Sequence, residues 1–168
     1  MQDERDRLIA CIPRLRRYAR ALIGERTGAD DLVQDTMERG WKKLSSWQRG
    51  SDMRAWLFGI MHNLHIDQVR RPGIMTEVLD DDTPLPTSKA TQADGLEMRD
   101  LQSALATLPP EQREILLLVA LEEMSYEEVA TTLGLPLGTV MSRLSRARQK
   151  LRAHMEGRTV VLPLKVVK

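Results

Sequence analysis

Between Ser125 and Arg152 the chain reads SYEEVATTLGLPLGTVMSRLSRARQKLR, and no other stretch restricts its fold as tightly. Ser125 and Glu128 have capping-box spacing, in which the serine oxygen takes an early backbone amide and the glutamate reaches back to the cap. Val129, Ala130 and Leu133 then line the inner face of a short helix, and Gly134 ends it in the left-handed conformation that glycine tolerates. Leu135 to Gly138 lead into a second helix, expected from Thr139 to about Arg152. In it Val140, Leu144, Ala147 and Leu151 recur at i, i+4, i+7 and i+11 as one apolar stripe. The rest of its surface carries Ser142, Arg143, Ser145, Arg146, Arg148, Gln149, Lys150 and Arg152 without a single acid. This is a helix-turn-helix pattern, and its outward side suits DNA: small hydroxyls permit approach to base edges while arginines neutralise phosphates.

Strand-like alternation is nearly absent elsewhere, and aromatics are only 4% of 168 residues, so an all-helical fold is expected. Three helices are read between Asp3 and about Arg71, separated by breaks at Gly24 to Gly28 and Leu44 to Ser51. The first carries Leu15, Tyr18, Leu22 and Ile23 on one side, and Pro13 kinks it or begins it anew. The second runs from about Ala29 to Leu44 with Leu32, Val33, Met37 and Trp41 as its apolar stripe. A third starts near Asp52, a candidate N-cap, and carries Trp56, Leu57, Ile60, Leu64 and Val69. From Pro72 to about Ala93 the periodicity lapses among Asp80, Asp81, Asp82, Pro84 and Pro86, the composition of an acidic flexible linker. Helical spacing returns at Leu96, stops at Pro109 and Pro110, and resumes in an apolar helix to about Glu123. Thr159 to Lys168 fits a short strand or a disordered tail equally well.

Twenty-five basic residues almost cancel twenty-four acidic ones, so charge distribution is informative and net charge is not. Cys11 is the only cysteine, which excludes an internal disulfide and reads as a small buried hydrophobe. The charged start MQDERDRL has no apolar core of a signal peptide, and no run reaches membrane-spanning length, so a cytoplasmic location without membrane insertion is expected. His62 and His65 have a spacing that can share a metal ion, but no nearby carboxylate or thiol completes a site. No phosphate-binding glycine loop, nucleophile elbow or paired catalytic carboxylate is present. No metal, cofactor, small-molecule substrate or enzymatic activity is expected.

The stretch LPPEQREILLL together with the helix-turn-helix resembles the carboxy-terminal domain of extracytoplasmic-function sigma factors of bacterial RNA polymerase. RLRRYARALIG, ADDLVQDTMERGWKKL and MRAWLFGIMHNLHIDQVRR resemble the amino-terminal domain of the same family, and together the likeness covers most of residues 8 to 155. It implies that Asp31, Gln34, Asp35 and Glu38 dock on a basic coiled coil of core polymerase. It implies that the loop Ser45 to Asp52 captures an unstacked minus-ten base, with Trp47 stacking on it, Asn63 in the base pocket and Arg54, Arg70 and Arg71 on phosphates. Trp41 and Trp56 are expected in the core. In the carboxy-terminal domain Thr139, Met141, Ser142, Arg143, Ser145, Arg146 and Arg148 would meet the minus-thirty-five element. Members of the family often carry a basic or larger residue where Met141 and Ser145 stand, so direct base bonding should be sparse here.

The resulting expectation is two small helical domains, residues 1 to 71 and 96 to 155, with a linker over 72 to 95 and a tail over 156 to 168. Core RNA polymerase, promoter DNA and an anti-sigma protein are the implied partners, and a stress regulon the implied target. The loop WQRGSDMRAWLF is similar to that of general-stress members. The alternative is a helix-turn-helix regulator that acts without joining polymerase, its first domain sensory or dimerising.

Overall fold

The computed structural model describes residues 2–70 and 92–160, and every regular element among them is helical. They form two compact units, one built on the first four helices, the other on the last four apart from the end of the seventh. In the first unit α1 spans Gln2–Ala10, α2 Ile12–Ile23, α3 Arg26–Lys42 and α4 Met53–Arg70, with a single 3-10 turn at Leu44–Ser46. The second holds α5 (Gln92–Ala106), α6 (Pro110–Ala120), α7 (Tyr126–Leu133) and α8 (Leu137–Val160).

Four helices stand where three were expected, because Pro13 begins α2 anew. It occupies the first turn, where a missing N–H costs nothing, and the chain turns at Cys11 through a bond from its amide to the Leu8 carbonyl of 3.1 Å. The expected break from Gly24 to Gly28 is shorter than read. Only Gly24 adopts a positive φ, +80°, with its amide capping Arg20, whereas Gly28 lies inside α3. At the other end, Asp52 accepts the amides of Arg54 at 3.0 Å and Ala55 at 3.4 Å, the N-cap expected for α4.

α3 is the centre of this unit and packs on α1, α2 and α4. Leu15, Tyr18, Leu22, Leu32, Leu57 and Met61 are buried, and the Tyr18 ring meets Phe58 edge-on at 4.8 Å between centroids. Gly40 sits at a tight approach. A Cβ there would lie 2.8 Å from Leu57 Cδ2 and 3.4 Å from Leu8 Cδ1, so only hydrogen lets the helices close around it.

In the second unit α5 and α6 pack on α8 around Leu105, Leu108, Ile115, Leu118, Val140 and Leu144, all buried. The junction between α5 and α6 is closed by Arg113. Its guanidinium donates to the carbonyls of Leu105 at 2.8 Å, Ala106 at 3.3 Å and Leu108 at 2.9 Å, the first of which also accepts the Leu108 amide at 3.1 Å. α8 continues to Val160, past the expected end near Arg152 and into the expected tail. The linker and residues 161–168 fall outside the described residues, apart from Gln92 onward, which is already helix.

Candidate nucleic-acid interface

The turn between α7 and α8 forms as its sequence dictates. Ser125 Oγ accepts the Glu128 amide at 3.1 Å, Gly134 takes φ +67°, and the Leu135 amide returns to the Ala130 carbonyl at 3.0 Å. Val140, Leu144 and Ala147 are buried, which turns the other side of α8 outward. Ser142, Ser145 and Arg146 are exposed opposite that stripe, Ser145 three and Arg146 four residues on from Ser142, so that they form one row. Met141, half exposed, and Arg148 lie on one flank; Thr139 and Arg143, partly covered, lie on the other. Arg148 Nη1 donates to the Tyr126 hydroxyl at 3.5 Å, a contact that aims its side chain along the groove between α7 and α8. Among the described residues no carboxylate pairs with Arg143, Arg146, Arg148, Lys150 or Arg152, so the whole face keeps its positive charge.

On α3 the residues Asp31, Gln34, Asp35 and Glu38 are all exposed, and their three- and four-residue spacing places them on one face. Glu38 is partly neutralised by Lys42, 3.2 Å away and one turn on. Asp31 and Asp35 carry no ion pair among the described residues and dominate the field of this face. Beside it a groove of about 750 Å³ runs between α2 and α3, floored by Ile12, Val33 and Met37.

The tryptophans reverse their expected places. Trp47 is only 6% exposed, so its ring plugs the domain edge and offers no open face for stacking. Trp41, expected in the core, is 47% exposed at the end of the groove, with the Arg5 guanidinium 5.1 Å above its ring. The reason is α1. Its arrival at the Gly40 side of α3 buries Leu8 and leaves Trp41 beyond the packed region. Trp56 is half-buried. Asn63 and Arg70 are exposed and stand two turns apart on one side of α4, whereas Arg54 is about half a turn round, 19% exposed and 3.5 Å from Asp52. Arg71 lies outside the described residues. His65 is buried and His62 partly so, and among the described residues no three ligating side chains cluster.

Comparison with known proteins agrees with both units. Residues 8–62 match the family model described as the Sigma2 domain of PhyR, and residues 98–151 match Sigma-70, region 4. The ECF RNA polymerase sigma factor EcfG of Rhodopseudomonas palustris strain TIE-1 is 41% identical over 152 residues, which cover 89% of this chain and 83% of that protein. The chain belongs to the extracytoplasmic-function sigma factors. Among solved structures, the sigma factor RpoE in complex with the anti-sigma factor NepR from Bartonella quintana superposes with a TM-score of 0.77 at 34% identity, covering 93% of this chain and 98% of that one. CnrH, in complex with the cytosolic domain of CnrY, gives 0.68 at 30% identity over 94% of this chain and 90% of its own.

Family membership sets aside the regulator that never joins polymerase. No helix among the described residues of this sigma factor is long and apolar enough to cross a membrane. Two of its contacts escaped the sequence reading. Arg49 donates to Glu4 at 2.7 Å across 45 residues, and Arg5 covers Trp41. Neither has a local signal, since each joins α1 to residues distant in sequence. The signal that could have revealed a separate α1 was Cys11 ahead of Pro13.

Proposed function

We propose that this cytoplasmic sigma factor joins core RNA polymerase through the acidic face of α3, reads the minus-thirty-five element with α8 and the minus-ten element with the Ser45 to Asp52 loop and α4. Catalysis is left to the polymerase. The observation that carries the reading is the unpaired basic face of α8, with Ser142, Ser145 and Arg146 in one exposed row opposite a buried stripe. Such a row meets base edges at its serines while Arg143 and Arg148 hold phosphates on either side. Asn63 and Arg70 share one side of α4 and form the minus-ten set, with Arg71 following directly in sequence; Arg54, drawn to Asp52, contributes less. The domains are residues 1 to 71 and 96 to 155, the second extended by the continuation of α8, and the acidic segment between them serves as a tether.

RpoE was solved with the anti-sigma factor NepR, which supports an anti-sigma protein for this chain as well. A stress regulon fits the likeness of the loop WQRGSDMRAWLF to that of general-stress members of the family. The test is holoenzyme assembly. Asp35→Arg is expected to weaken binding to core polymerase about tenfold while unfolding stability moves by no more than about 0.5 kcal/mol, because Asp35 is exposed. An unchanged affinity in a direct binding titration rejects the docking face.

A further inference from the structure

The minus-ten loop is held from inside and from outside. From inside, Trp47 is buried, the Trp47 amide returns to the Leu44 carbonyl at 3.2 Å, and Ser51 Oγ donates to the Gln48 carbonyl at 2.6 Å. Between these anchors Gln48, Arg49 and Gly50 are exposed, and Gly50 turns the chain with φ +90°. From outside, Arg49 Nε donates to Glu4 Oε1 at 2.7 Å. Glu4 is not a loose surface acid: its side chain is 14% exposed against 75% for Arg49, so the carboxylate is set and the arginine comes to it. α1 is itself fixed, by fully buried Leu8 beside Gly40 and by Arg5 over Trp41.

We propose that α1 is a strap and Glu4 a positioning residue for minus-ten reading, Glu4 acting through Arg49 to hold the loop tip in the shape that receives an unstacked base. The inference rests on the proposed role of that loop. A captured base repays its unstacking only if the pocket is already shaped, since every ordered loop residue otherwise adds its own entropy cost. One charged hydrogen bond from a fixed helix to the tip of an eight-residue loop reduces that cost without touching DNA. Neutralising Glu4 therefore lowers selectivity for the base and leaves core binding and minus-thirty-five reading alone.

The experiment uses holoenzyme reconstituted with the full chain, and a promoter selected from a random library by the unaltered protein. The readout is the ratio of open-complex rates on that promoter and on a copy with the minus-ten base replaced. Glu4→Gln is expected to lower the ratio about three- to fivefold, within the range of a single partly screened ion pair. The double variant Glu4→Arg with Arg49→Glu is expected to restore most of it. The penalty for altering the minus-thirty-five element and the thermal midpoint should stay put, which separates positioning from simple stabilisation. A ratio unmoved by Glu4→Gln but lowered by Asn63→Ala overturns the strap alone, and a ratio unmoved by either overturns the loop's role as well. Loss of selectivity that the double variant fails to restore also overturns the proposal, because Arg49 would then be touching DNA itself.

Discussion

At the scale of single residues, the row on α8 separates two kinds of contact. Ser142 stands near the helix start, where base edges are reached, while Arg148 sits on the flank and is steered by Tyr126. Replacing Arg148 by Ala should weaken binding to all duplexes alike and reduce the salt dependence by about one unit of log slope. Replacing Ser142 or Met141 should instead change which sequences are selected from a randomised duplex. A changed motif with the Arg148 variant and an unchanged one with both others would reverse the assignment of reading and anchoring residues. The outward side of α8 was legible in the sequence, because Val140, Leu144 and Ala147 repeat at helical spacing; that Arg146 stands with the two serines and Met141 to one flank was not. Trp41 and Trp47 were not. A tryptophan's burial depends on what arrives from elsewhere in the chain, and α1 reaches Trp41 only with the Arg5 side chain, leaving the ring 47% exposed.

Among the elements, the α5–α6 corner shows how a half-buried charge can stabilise a junction that local sequence marks only as a stop. Pro109 and Pro110 announce the break, but carbonyls at the end of α5 and just beyond it are bonded from α6 by Arg113. Burial lowers the pKa of this guanidinium from its ordinary value, yet an arginine remains charged throughout the working range. Arg113→Ala removes a donor from three carbonyls, of which that of Leu105 keeps the Leu108 amide, and should cost about 2 kcal/mol, read as a lowered denaturation midpoint. Arg113→Lys should recover only part of it, since an ammonium cannot spread its donors across the corner as a planar fork does. Full recovery by lysine would mean that charge alone, not the fork, holds the corner. α8 teaches the complementary point. Its start was readable from the glycine turn, but its end was not, because Ala153 to Val160 contains neither a proline nor a glycine stop beyond Gly157, which the helix absorbs.

For the molecule as a whole, each unit carries its own buried core, and each is small enough for one packing defect to matter. Gly40 is where that margin is thinnest. A valine there would meet the fully buried Leu57 and Leu8, and overpacking of this kind costs about 3 kcal/mol. In a unit of this size that corresponds to a midpoint lowered by roughly 10 °C or more. Circular dichroism of the Gly40→Val chain should show the loss, and a midpoint within about 2 °C of the unaltered protein would mean that the helices can part more easily than their contacts suggest. The same crowding has a genetic meaning. A strain carrying this one substitution should run the factor's regulon at low growth temperature and lose it on warming, so the point where three helices crowd a single glycine doubles as the natural place to obtain a heat-conditional allele.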